Sequence, residues 1–209
     1  MCGAEPIIPG SNRRDGNVNL VFSTQDLPQS ERFGAWRGAL CDHYIHLDTA
    51  ADTREAYDGF IRKAQFGEIT FTDCFLSPQT IERRTNHIAL LDKDCVYVAL
   101  PERGSQVVQQ RGRSISYGPG TGAYFSASEP YVLHNAEACR GLYLEFPREA
   151  IEQRSAKAVD GLVGGLNTSF GLGRVIGGLC GSMVVESNTH RGEGPLGFRG
   201  CRLRLAHLR

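Results

Sequence analysis

The chain has 209 residues, enough for one domain with a sizeable core. Its 41% hydrophobic and 22% charged content excludes a wholly disordered polymer. Lys+Arg and Asp+Glu are each 23, a formal net charge of +0 that argues against a duplex-gripping surface over the bulk of the chain. Glycine is the compositional outlier, at 25 residues. No run approaches the ~18 apolar residues of a membrane helix, and Met1–Arg14 has no apolar signal core, so the expected compartment is the cytoplasm.

Read in chain order, residues 1–19 are polar and punctuated by Pro6, Pro9, Gly10 and Gly16, a loose arm. Gln29 to Leu40 places Phe33, Trp36, Ala39 and Leu40 on one helical face, with Asp26 or Ser30 as expected caps. From Tyr44 the period changes to two. Ile69–Phe75 alternates, Cys95–Leu100 is a continuous apolar run, and Gln106–Arg111, Arg113–Tyr117, Gly122–Phe125, Pro130–His134 and Gly141–Phe146 complete a strand series. Glycine, proline and aspartate punctuate it every eight to twelve residues or so, which predicts an all-β sandwich or barrel. Helical spacing returns at Glu149–Arg154 and from Leu162 to Glu186, where Leu166, Phe170, Ile176, Leu179 and Met183 form an apolar stripe diluted by glycines. Residues 188–209 lose this periodicity and become rich in glycine and arginine.

Chemistry-bearing patterns are sparse. The cysteines (Cys2, Cys41, Cys74, Cys95, Cys139, Cys180, Cys201) contain no C-x-x-C and read as free thiols. The histidines contain no H-x-H. His43 and His46 lie three apart without an acidic third ligand, so no metal site and no cofactor are expected. There is no G-x-S-x-G elbow, and Gly171-Leu172-Gly173 lacks the strand that a dinucleotide fingerprint requires. No catalytic residue is assigned. A small β-barrel instead suggests a ligand site with a few inward polar groups. The candidates are Arg84, Tyr97, Gln109, Tyr124, His134 and Tyr143, with Arg113 as a further cation that can equally pair with a surface carboxylate.

The order and spacing of several motifs resemble the N-terminal regulatory domain of AraC-type transcription regulators. They are Phe22-Ser23-Thr24-x-x-Leu27-Pro28-x-x-Glu31-Arg32-Phe33-x-x-Trp36-Arg37, then Arg84-Thr85 and His87-Ile88. Val108-Gln109-Gln110-Arg111-Gly112-Arg113, Gly118-Pro119-Gly120, Pro130-Tyr131 and Leu142-x-Leu144-x-Phe146-Pro147-Arg148 follow. The resemblance covers about Val21 to Glu186 and departs at Thr121, where the family usually has an acidic residue. It implies a mainly β fold: a cupin-like β-barrel (double-stranded β-helix or jelly-roll type), preceded by one helix and followed by a helical dimerisation subdomain. Residues 20–187 form the regulatory domain in this reading. The implied function is sensing of a small-molecule effector, with pairing as a homodimer or with a full-length relative through Leu166, Phe170, Ile176, Leu179 and Met183. Specific DNA binding by this chain alone and membrane association are not expected. The irregular stretch 188–209, standing where a helix-turn-helix domain would begin, reads as a frameshift or truncation product, the alternative being an ordinary disordered tail of a short protein. The competing reading is a cupin-type, metal-dependent isomerase or oxygenase.

Overall fold

The computed structural model describes residues 18–90, 93–154 and 163–189, with side chains described as far as Ser182. Residues 1–17 of the expected arm and 190–209 of the expected tail lie outside the described residues, as does the side chain of Met183. In chain order, β1 (Asn19–Ser23) leads to helix α1 (Gln29–His43) and the short β2 (Asp48–Ala50). Strands β3 (Gly59–Phe66), β4 (Ile69–Leu76) and β5 (Gln79–Arg83) precede α2 (Thr85–Leu90). Then come β6 (Cys95–Arg103), β7 (Gln106–Gln110), β8 (Arg113–Tyr117), β9 (Thr121–Ser126), β10 (Tyr131–Asn135) and β11 (Cys139–Pro147). A short α3 (Arg148–Glu152), β12 (Gly164–Asn167) and α4 (Gly171–Thr189) follow.

The strands form two antiparallel sheets, ordered β1-β3-β4-β11-β6-β9-β12 and β2-β5-β10-β7-β8. Tight turns set the registers. Phe66 pairs with Ile69 across Gly67, and Gln110 pairs with Arg113 across Arg111-Gly112. Arg111 and Gly112 both have positive φ (53° and 71°), the two-residue hairpin geometry whose twist matches the strands it joins. On the five-stranded sheet the inward side chains fall into layers. Ile81, Leu133, Val108 and Ile115 align across four strands as an apolar band. Gln79 and Asn135 are paired on one side of the band, and Arg83 and Tyr131 on the other. The barrel interior is therefore apolar in the middle and polar towards its ends.

Helix α1 closes one side of this interior. Phe33, Trp36, Ala39 and Leu40 are buried at helical spacing, as the sequence predicts. Neither Asp26 nor Ser30 caps the helix. It starts behind Pro28, whose ring holds φ at −54°, with no side-chain cap, and Arg32 Nε donates to the Leu27 carbonyl at 3.0 Å. At the other end two lysines supply the cap. Lys63 donates to the His43 carbonyl, and Lys93 donates to the Tyr44 carbonyl at 3.1 Å.

The seven-stranded sheet is apolar on both faces. Tyr97, Ala99 and Tyr143 face the barrel interior, while Leu100, Leu142 and Leu144 alternate with them and form a second core. Cys180 of α4 packs into that second core. The continuous helix expected from Leu162 to Glu186 is replaced at its start by β12, which pairs with β9 from Gly164↔Tyr124 to Asn167↔Thr121. The physical reason is close approach. A Cβ on Gly164 would lie 2.4 Å from the Tyr124 hydroxyl oxygen, so glycine here leaves room for the Tyr124 ring to lie over β12 where it pairs with β9. Leu166 thus sits on a strand, packed against the second core. The molecule is a cupin-like barrel with one N-terminal helix and a C-terminal helix.

Candidate ligand-binding cavity

Three elements bring aromatic hydroxyls to one place. Tyr97 is inward on β6 by strict alternation with Val96 and Val98, and Tyr143 is inward on β11 between Leu142 and Leu144. Tyr44 follows the last residue of α1 and turns its ring towards Tyr97, with ring centroids 6.4 Å apart. These three, with Leu40, Leu47, Cys74, Leu76, Ile81, Phe125, Tyr131 and Leu133, line a cavity of about 40 Å³. No charged side chain lines it.

The hydroxyls differ in how they are satisfied. Tyr143 donates to Gln106 Oε1 at 2.5 Å, and Tyr117 donates to the same oxygen at 3.2 Å. The hydroxyls of Tyr44 and Tyr97 are buried and make no hydrogen bond of ordinary geometry, and the Cys95 thiol lies beside that of Tyr97. Thr72 and the Cys74 thiol flank the hydroxyl of Tyr44. Leaving a hydroxyl dry and unbonded costs about 1–3 kcal/mol in a protein interior. Burial holds all three phenols well above the usual tyrosine range, so they stay neutral. Burial likewise pushes the Cys74 thiol up, leaving it protonated and a poor nucleophile.

Two buried carboxamides brace the interior. Gln79 Oε1 accepts from Trp36 Nε1 at 2.9 Å, Thr49 Oγ1 at 3.0 Å and the Tyr57 hydroxyl at 2.8 Å. This ties α1, β2 and the segment before β3 to one side chain. The Nε2 groups of both Gln79 and Gln106 make no hydrogen bond.

The residues singled out in the sequence separate into three places. Tyr97 and Tyr143 share the cavity. Arg84 and Gln109, together with Arg113, line a separate outer groove of about 500 Å³ at the end of the five-stranded sheet. Its arginines are engaged: Arg84 with Glu82 at 2.5 Å and Asp48 at 3.3 Å, and Arg111 with Glu129 at 2.5 Å. Arg113 donates to the Val163 carbonyl at 3.2 Å. Tyr124 is half-buried beside Gly164, and His134 shares a 3.0 Å hydrogen bond between Nδ1 and Thr80 Oγ1 outside the barrel. Tyr44, Leu47 and the glutamines were not anticipated. The only local signal for Tyr44 is its position at the change of period, since its inward turn depends on where the helix end meets the sheet.

Among the described residues, no three of His, Cys, Asp and Glu are grouped to hold a metal ion, and no helix is long and apolar enough to cross a membrane. Helix α4 exposes Leu172, Val175, Ile176 and Leu179, with Leu172 74% and Leu179 61% accessible, and Phe170 is exposed just ahead of it. Ser169 Oγ and Thr168 N both bond the Gly120 carbonyl, fixing the start of the helix to the β8–β9 turn.

The chain is similar to known proteins over most of its length. It is 24% identical over 186 residues to the transcriptional activator NphR of Rhodococcus sp., covering 84% of this chain and 52% of that protein. It is 25% identical over 134 residues to an uncharacterised protein in the nit 5' region of Bacillus sp. (strain OxB-1), covering 64% of this chain and 52% of that one. The chain therefore spans about half the length of the curated relatives it matches. The crystal structure of the AraC-like transcriptional activator CuxR shares the fold, with a TM-score of 0.65 at 21% identity over 82% of this chain and 61% of that one. The AraC-binding-like domain family matches residues 36–196. With that span covering well over half of its length, the chain belongs to the AraC-binding-like domain family.

Proposed function

We propose that this chain is the effector-sensing and dimerisation module of an AraC-type transcription regulator. The observation that carries the reading is the barrel cavity, where two buried hydroxyls, on Tyr44 and Tyr97, make no hydrogen bond of ordinary geometry. Unsatisfied buried polar groups are rare in a folded chain and mark a place where another molecule completes the bonding. Binding there touches Leu40 and Tyr44 at the end of α1 and Tyr143 on β11, so it bears on elements from both sides of the barrel.

Pairing is the second half of the reading. Leu172, Val175, Ile176 and Leu179 recur at three-and-four spacing, with Phe170 just ahead of the helix, and this stripe stays exposed while Cys180, on the adjoining side of the helix, packs into the second core. A second copy of the chain matches such a stripe, because a two-fold interface is self-complementary. Leu166 contributes by seating α4 rather than by meeting the partner. Control of transcription would follow by changing how paired chains present their DNA-reading parts. The reading is regulatory rather than catalytic, and it places the protein in the cytoplasm.

Two measurements test it. Saturable chemical-shift changes at Tyr97 and Phe125 during a screen of small metabolites support sensing, and a screen that leaves these resonances unmoved rejects it. Sedimentation should show a dimer that the Leu172→Glu, Leu179→Glu double variant converts to a monomer. An unchanged mass in that variant rejects pairing through α4.

A further inference from the structure

Resting on the sensing role just proposed, we infer that the cavity takes a small, uncharged, largely apolar molecule carrying one oxygen acceptor, such as a ketone or amide carbonyl. The hydroxyls of Tyr44 and Tyr97 receive that oxygen. The reasoning proceeds by chemistry. Neither hydroxyl makes a hydrogen bond of ordinary geometry to the Thr72, Cys74 or Cys95 side chains beside them, so each keeps a hydrogen to donate. Of the remaining wall, Leu40, Leu47, Leu76, Ile81, Phe125 and Leu133 supply apolar contact surface, and Cys74, Tyr131 and Tyr143 add a thiol and two hydroxyls.

An anion finds no cation in this lining, and a cation finds no carboxylate. Lys93 and Glu145, close by at the end of α1, hold each other at 2.7 Å. A charged ligand would surrender its hydration without repayment. A polyol fails for a related reason. Its several hydroxyls need several partners, and Tyr143 is already committed to Gln106. Size narrows the class further. About 40 Å³ is several times what one water needs, roughly 10–15 Å³, and well below the roughly 150 Å³ cavity that admits benzene. The fit is a molecule of a few non-hydrogen atoms.

The test uses the whole 209-residue chain and four small probes of matched bulk: acetone, acetate, propylammonium and ethylene glycol. Binding is followed by chemical-shift titration of the interior resonances of Tyr97 and Phe125. Only acetone should move them saturably. Tyr44→Phe and Tyr97→Phe each keep the ring and delete a hydroxyl that makes no hydrogen bond, so both should fold, and each should weaken acetone binding about five- to tenfold. Undiminished binding in both variants overturns the role given to the hydroxyls. Acetate, propylammonium or ethylene glycol entering the interior while acetone does not overturns the ligand class and leaves the sensing cavity standing. If no probe perturbs the interior, the sensing cavity falls as well.

Discussion

Tyr143 of β11 and Gln106 of β7 are joined by a 2.5 Å hydrogen bond that crosses the barrel from the seven-stranded sheet to the five-stranded one. Tyr97, one strand away on β6, has a hydroxyl with no such bond. The pair offers a controlled comparison of two buried phenols. Tyr143→Phe should destabilise the fold by about 1 kcal/mol, lowering the melting temperature by roughly 2–4 °C. Tyr97→Phe should leave stability unchanged or slightly raised, because it removes an unpaid desolvation. Urea unfolding of the two variants, read against the parent, checks the contrast. Equal losses in both would mean that the cross-sheet bond adds nothing.

The seating of α4 depends on the absence of a single carbon. A Cβ on Gly173 would lie 1.9 Å from the Asn167 carbonyl oxygen, a collision with rigid backbone. Gly173→Ala should lift the helix from β12 and cost several kcal/mol. On the same helix Gly178 has no neighbouring atom within 4 Å of such a carbon. Gly178→Ala should therefore stabilise by up to ~1 kcal/mol through helix propensity alone. Thermal unfolding of both variants decides the matter, with shifts of opposite sign expected.

Asp73 is fully buried on the outer face of the seven-stranded sheet. It receives two hydrogen bonds of 3.1 Å from Arg140, with Arg62 at 3.6 Å. Both guanidinium groups lie over the Phe60 ring, at 4.9 Å for Arg62 and 5.8 Å for Arg140. Removing Arg140 leaves the buried carboxylate with Arg62 alone, so Arg140→Ala should cost about 1–3 kcal/mol. Arg140→Ala combined with Asp73→Asn should recover much of that loss, measured by a double-mutant cycle in denaturant.

The Arg111–Glu129 pair predicts a pH effect of known sign. Hydrogen bonding from Arg111 holds the Glu129 carboxyl below its usual range. A carboxylate whose folded pKa is depressed contributes stability above the ordinary glutamate value of about 4.3, and that contribution disappears as the pH falls through the folded value. The pair is partly exposed, so its contribution stays within ~1 kcal/mol. Acid unfolding of Arg111→Ala should show a shallower loss of stability below about pH 4 than the parent shows.

Much of the barrel was legible because alternation is a local signal. Arg113–Tyr117 is a strand as expected, and Phe33, Trp36 and Leu40 predict the buried face of α1. What alternation cannot reveal is which parity faces inward. Tyr97 and Tyr143 share the inner parity, while His134 lies between inward Leu133 and Asn135 and so points out. Arg84 and Gln109 point to the outer groove because the end of the five-stranded sheet, not either strand alone, shapes it. Leu162–Glu186 was misread at its start because Gly164, Gly165 and Leu166 fit a period of two as well as one of three to four. The edge of β9 decides between them. Tyr44 depends on contact between the end of a helix and a distant strand, which no window of sequence contains.

The lysines at the end of α1 give the molecule a built-in chemical reporter. The chain has three lysines, Lys63, Lys93 and Lys157, and the first two hold the last carbonyls of the helix whose end roofs the cavity. Burial lowers the pKa of Lys63, which raises its fraction of free, reactive amine at a given pH. Among the described residues the two lysines both sit where the helix meets the barrel, and amine-selective reagents reach the half-buried Lys63 amine when that junction opens. The rate at which they modify Lys63 becomes a clock for how often that junction opens, readable by mass spectrometry without any introduced label.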